Sequence, residues 1–173
     1  MTQHNTFSPS GAHRWSKCTA SAIMAKHLGL VNKYPTLSSW EGQELHDQLH
    51  QFYQGGLPRA HLDDLVKWSI DEFDDYLDDA GLVGRELTCE IRSEKRINLE
   101  VSTEHFGVLN VGGTPDLVAI SEKAIVVADL KTGYVRVDAY ENPQLLLYAR
   151  ALIIQNNFPS DRLFHLVILQ PRL

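Results

Sequence analysis

With 173 residues, 43% of them apolar and 22% charged, the chain holds enough apolar material for one core and reads as a single domain over 1–173. That balance excludes collagen-like, low-complexity and wholly disordered architectures, and no run approaches the roughly 20 apolar residues that span a bilayer. The formal charge is −6, but residues 61–80 alone carry a net of −7 and leave the remainder at +1, so net charge does not decide for or against a nucleic-acid partner.

The opening stretch MTQHNTFSPSGAHRW lacks the basic-then-apolar layout of a secretory signal. Two cysteines, Cys18 and Cys89, make no disulfide framework and fit a reducing compartment. The expectation is a cytoplasmic protein with no membrane partner. A first helix is expected from a Ser8 or Ser10 cap to about residue 28, with Trp15, Cys18, Ala22 and Ala25 on one side and Gly29 at its end. A second follows Ser38 or Ser39, with Leu45, Leu49, Phe52 and Tyr53 at helical spacing until Gly55-Gly56. A third, about 60–80, places Leu62, Leu65, Val66, Ile70, Phe73 and Leu77 on one face and its acids on a solvated one.

From about residue 86 the period changes to alternation. Strands are expected over 87–99, 106–111, 115–120 and 124–130, with turns at Gly112-Gly113 and near Ser121-Glu122. AIVVADL has the unbroken apolar character of a central strand covered on both faces. A helix over 141–155, carrying Leu145, Tyr148 and Leu152 on one side, is stopped by Phe158-Pro159, and LFHLVIL at 163–169 is a further buried strand. The fold class is therefore α/β: a central mixed sheet flanked by helices, with a helical part over 8–80 and a sheet-bearing core over 86–173.

The chemistry concentrates in Gly113-Thr114-Pro115-Asp116 and Asp129-Leu130-Lys131. In a strand, residues two apart share a face, so Asp129 and Lys131 project together. Asp116, at the start of the preceding strand, comes beside them if the two strands pair. Converging carboxylates repel unless a cation joins them, and magnesium or manganese selects such oxygen ligands. A lysine beside that ion suits phosphodiester hydrolysis, where charge grows on phosphoryl oxygens.

Pro115-Asp116, a short hairpin and Asp129-x-Lys131 resemble the signature of the PD-(D/E)XK nuclease superfamily. Gln144-x-x-x-Tyr148 is similar to the motif of its RecB-like branch, and Glu41-Gly42-x-x-x-His46 resembles that branch's histidine-bearing helix. Ser8-Pro9-Ser10 with Trp15 and Cys18 is similar to the opening of RecB-like phage nucleases. More narrowly, the combination over 8–172 resembles phage and prophage proteins that carry this core. The resemblance implies a restriction-endonuclease-like core and a magnesium- or manganese-dependent, exonuclease-like DNA nuclease in phage or prophage DNA metabolism. It implies Asp116 and Asp129 as catalytic metal ligands, Lys131 as the catalytic lysine, and Gln144 and Tyr148 as active-site or DNA-backbone contacts. His46 is implied as a further ligand or organiser of the site, and an acid on the first strand as another ligand, with Glu90 preferred to Glu94. Some RecB-like nucleases hold an iron–sulfur cluster on one N-terminal and three C-terminal cysteines. Only Cys18 has a counterpart here, so no cluster is expected and Cys18 is expected to be a packed thiol. The chain stops directly after its last strand, where larger relatives would continue, which suggests a short version or a fragment of a longer chain. Basic side chains nominated for DNA are Arg92, Lys95, Arg96 and Arg136.

Two other readings remain open. The fold could serve as a catalytically silent DNA-binding or protein-interaction module in a phage replication, recombination or counter-defence complex, with the acidic 61–80 segment facing a protein partner or mimicking nucleic-acid charge. His46-Asp47-Gln48-Leu49-His50 also has the i, i+4 spacing of a zinc hydrolase helix, with His61 or Glu72 as the third ligand. In that reading His50 is essential; otherwise it is a partly buried helix residue.

Overall fold

AIVVADL forms β5 (Ala124–Leu130), buried at every position. Its β-branched and small side chains suit a strand packed on both faces. The computed structural model describes residues 7–29, 36–83, 90–93, 96–103, 107–159 and 161–173. The strand pairs antiparallel with β4 (Leu117–Ile120) and parallel with β6 (Leu163–Leu169). β1 (Glu90–Ser93) adds antiparallel to β4, giving a four-stranded mixed sheet of order β1-β4-β5-β6. A two-stranded sheet, β2 (Ile97–Thr103) with β3 (Gly107–Gly113), stands apart from it.

Helices cover both faces. Helix α3 (Leu37–Tyr53) and α4 (Asp64–Asp79) pack Leu45, Leu49, Val66, Ile70, Phe73 and Leu77 against Leu117, Val126, Ala128 and Leu130. On the other face α5 (Pro143–Asn156) packs Leu145, Tyr148 and Leu152 against Val118, Ile125 and Val127, together with Ile97, Leu99 and Val111 of the small sheet. Period-two alternation along β5 thus sends even-numbered residues to one core and odd-numbered ones to the other. Asp129 has the parity of the α5 side. The acids of α4 lie on its exposed face, as the spacing predicts. Among the described residues no helix is long and apolar enough to cross a membrane.

Several boundaries differ from the sequence reading. The expected first helix is broken: a 3-10 turn over Pro9–Gly11, α1 (Ala12–Trp15) and α2 (Thr19–His27) follow one another. Trp15 Nε1 donates to the Ser8 carbonyl at 2.8 Å and folds this segment onto itself. Ala22 is buried, but Cys18 is exposed rather than packed, because it sits in the break between α1 and α2. Thr36, not Ser38 or Ser39, caps α3 by accepting from the Ser39 amide at 3.2 Å. The expected strand 87–99 becomes two strands in different sheets, β1 and β2. Residues 84–89 and 94–95, which include Arg85, Cys89, Glu94 and Lys95, lie outside the described residues.

Gly112-Gly113 is not a turn but the end of β3, paired with Asn98 and Ile97. A Cβ on Gly113 would stand 2.8 Å from Pro9 Cδ and 3.3 Å from Tyr148 Cε1, so the glycine lets the N-terminal segment close over β3 and α5. Pro143 opens α5 behind Asn142, whose Oδ1 accepts from the Gln144 amide at 3.0 Å. This cap fixes where Gln144 begins its turn.

The fold's dependence on the α4 face is measurable. Phe73 is fully buried, and Phe73→Ala is expected to lose about 3–5 kcal/mol in urea unfolding. Glu72→Ala, on the exposed face, should change stability by less than about 0.5 kcal/mol. Equal losses at the two positions would contradict this packing.

Candidate active site

The end of β5, the start of β4, α3 and α5 meet in one polar cluster. Asp116 directly precedes β4, and its Oδ2 accepts from the Leu130 amide at 2.6 Å, which ties it to the last residue of β5. Its other oxygen, Oδ1, accepts from His46 Nδ1 at 2.8 Å. His46 reaches it from α3, and Gly42, one turn earlier, permits the approach. A Cβ there would stand 2.9 Å from Thr132 Oγ1.

Asp129 lies within β5 with only 4% of its side chain exposed. Gln144 Nε2 donates to its Oδ1 at 2.5 Å. Lys131 Nζ stands 2.5 Å from Oδ2 as an ion pair, without the alignment of a hydrogen bond to that oxygen. Lys131 Nζ donates instead to Gln144 Oε1 at 3.0 Å, so the one amide holds both charged side chains. Tyr148, one helical turn along α5, donates its hydroxyl to the Thr114 carbonyl at 3.0 Å and accepts from Gln144 Nε2 at 3.3 Å. Thr114 leads into Pro115-Asp116, so Tyr148 links the α5 contacts to the segment that presents Asp116.

The electrostatics follow from this crowding. Burial, and then the nearby Asp116 charge, push the Asp129 carboxyl up to about 6, against the pull of Lys131 and His46. Burial alone would lower His46, but the hydrogen bond and charge of Asp116, with Asp129 behind it, outweigh it and leave the imidazole raised. Burial first, and then the Asp129 charge, push the Tyr148 phenol upward, so it remains a neutral donor near neutral pH.

The structure thus brings together His46, Asp116, Asp129, Lys131, Gln144 and Tyr148. Glu90 is not among them. It sits opposite Ile120, at the far end of β4 from Asp116, and its carboxylate is taken by Arg92 at 2.6 and 2.7 Å. Three strand residues, about 10 Å, separate that register from Leu117 beside Asp116. The preference for Glu90 over Glu94 rested on strand order, which does not give the register. Arg92 is committed to Glu90, whereas Arg96 and Arg136 are exposed.

His46 and His50 do not converge. His46 meets Asp116, while His50 Nδ1 lies 2.9 Å from Ser93 Oγ on β1. His61 and Glu72 are both exposed. Among the described residues no group of three or more His, Cys, Asp or Glu is placed to hold a metal ion, as a zinc site would need. Magnesium needs less: one or two carboxylates, the remaining positions being filled by water or substrate oxygens. The buried Asp129 and the half-buried Asp116, which repel each other, fit that requirement, with His46 bound to Asp116 as its partner.

Sequence reasoning missed the parts that position these groups. Thr132 against Gly42, and Gln170, which anchors the segment after Lys131, carry no periodic or motif signal. A family described as "Protein of unknown function (DUF2800)" matches residues 4–173.

The Asp129 environment sets a pH dependence in metal-free protein. Because its folded pKa is raised, Asp129 favours the folded state below about pH 4 and loses that contribution as pH rises through about 6. In EDTA, the melting temperature of Asp129→Asn relative to wild type should therefore climb between pH 4 and 7, by roughly 4–8 °C. A constant difference across that range, followed by circular dichroism, would contradict the assignment.

Proposed function

The chain belongs to the DUF2800 family of proteins of unknown function, and we propose that it is a divalent-metal-dependent nuclease of the PD-(D/E)XK type, in its RecB-like branch, that hydrolyses phosphodiester bonds in DNA. The observation that carries this reading is the meeting of Asp116, Asp129 and Lys131 at one strand end, with Gln144 bonded to both Asp129 and Lys131. A four-stranded sheet with helices on both faces supports a restriction-endonuclease-like core.

Asp116 and Asp129 would hold magnesium or manganese, which when bound would neutralise their repulsion, lower the pKa of water and stabilise charge on phosphoryl oxygen. The remaining groups position and balance charge. His46 and the Leu130 amide fix both oxygens of Asp116, so its carboxylate is oriented without substrate. Gln144 orients Asp129 with its amide nitrogen and Lys131 with its amide oxygen, which requires one amide flip state and no other. Lys131 supplies a fixed positive charge against the negative charge that grows as water oxygen bonds to phosphorus. The attacking water gives up one proton to solvent, the bond from phosphorus to the leaving sugar oxygen breaks, and that oxygen takes up a proton from solvent. Tyr148 stays protonated and holds Gln144 and the Thr114 carbonyl in place.

Labelled linear, circular and single-stranded DNA, incubated with and without magnesium or manganese, test the proposal. Wild type is expected to cut only with metal. Asp116→Ala, Asp129→Ala and Lys131→Ala should each lose at least about 100-fold in rate while keeping a native circular dichroism spectrum. His46→Ala should weaken cutting and His50→Ala should be mild. A folded Lys131→Ala protein that cuts at the wild-type rate overturns the assignment. DNA binding without metal-dependent cleavage in wild type would favour the silent binding module.

A further inference from the structure

Between Lys131 and Asn142 the chain forms no regular element, yet it is firmly held. Its two ends are joined at the site, because Lys131 Nζ donates to Gln144 Oε1 at 3.0 Å and Asn142 caps the helix that carries Gln144. Its middle is clamped by Gln170, a buried residue just past β6. Gln170 Nε2 donates to the Gly133 and Val135 carbonyls at 2.9 and 2.8 Å, and Gln170 Oε1 accepts from the Val137 amide at 3.0 Å. Arg172 lies 5.0 Å from the centre of the Tyr134 ring and is ion-paired to Glu41 of α3, which fixes one face of that ring.

A loop so fastened would be expected to bury its aromatics. It does the opposite: Tyr134 is 75% exposed, Val135 82% and Tyr140 79%. Arg136 is exposed between them, with Asp138 and Glu141 as the loop's two acids. The two tyrosines are three residues from Lys131 and four from Gln144, so chain reach keeps both within about 14 Å of the site. Exposed rings on a prefixed backbone have already lost the conformational freedom that binding would otherwise remove. Rings with an open π-face and a neighbouring arginine are the chemistry by which unpaired bases are held, whereas paired bases keep their faces stacked on one another.

We propose that the loop 131–142 is a stacking shelf on which Tyr134 and Tyr140 hold unpaired bases, so that the substrate presents a single-stranded segment to the Asp116–Asp129–Lys131 cluster. The proposal rests on the nuclease reading for the chemical step after binding, but the shelf itself can be measured without catalysis. Arg136, exposed between the two tyrosines, meets the strand's phosphates.

Fluorescence anisotropy in EDTA, with a fluorescein-labelled twelve-nucleotide oligothymidylate and a twelve-base-pair duplex as probes, tests it. The single strand should bind more tightly than the duplex. Tyr134→Ala and Tyr140→Ala should each weaken the single strand by about 5- to 150-fold, the range for losing one base–aromatic stack, with little effect on the duplex. Tyr→Phe at either position should restore binding, because the ring and not the hydroxyl does the stacking. Trp68→Ala, an exposed aromatic on α4, should leave affinity unchanged. Equal affinity for the two probes, binding of neither, or tyrosine variants that bind like wild type would overturn the shelf, whatever the protein cuts. Oligothymidylate binding that depends on both tyrosines, in a protein that cuts nothing with magnesium or manganese, would keep the shelf and overturn the nuclease reading instead.

Discussion

Two carboxylates at neighbouring strand ends, one of them almost fully buried, repel each other and lose the hydration that would screen them. The polar groups that contact Asp116 and Asp129 answer that cost. Asp116 uses the Leu130 amide and His46; Asp129 uses Gln144 and the Lys131 ammonium. The compensation is incomplete, since Asp129 remains raised to about 6 with Lys131 beside it. Two carboxylates that offer oxygen donors and repel each other, backed by one lysine, are electrostatically suited to a hard cation.

The fold supplies the geometry for this cluster through a few local choices. Antiparallel pairing of β4 with β5 sets Asp116 beside the end of β5, and strand parity turns Asp129 toward α5. Asn142 and Pro143 start α5 where Gln144 reaches Asp129 and Lys131 together, and one turn later Tyr148 reaches Thr114. Gly42 lets α3 approach Thr132 closely enough for His46 to touch Asp116. Gly113 does the same for the N-terminal segment over β3. The loop that follows Lys131 is then tied down by Gln170 and left with its tyrosines in solvent.

What was legible in the sequence was what local pattern encodes. The helix over α4, the buried run of β5 and the pairing of Asp116 with Asp129 and Lys131 rest on spacing within a strand, a hairpin or a helix turn, whereas Gln144 and Tyr148 were legible only through the resemblance to the RecB-like motif. His46 was legible only through the resemblance of Glu41-Gly42-x-x-x-His46 to the histidine-bearing helix of the RecB-like branch. Strand order did not give the register that sets Glu90 opposite Ile120, because register is a property of pairing: β1 and β2, which read as one alternating run, belong to different sheets. Cys18 has helical spacing with Ala22, yet it falls in the break before α2 and is exposed. Gln170 lies more than thirty residues from the carbonyls it binds, so no window of sequence could have paired them.

The central claim is that Asp116 and Asp129 form a cation site, and calorimetric titration of magnesium and manganese into metal-free protein tests it most directly. One or two ions should bind wild type, and a folded Asp116→Ala protein should lose that binding while keeping the β5 and α5 packing seen in its circular dichroism. Equal affinity in the two proteins would contradict the account.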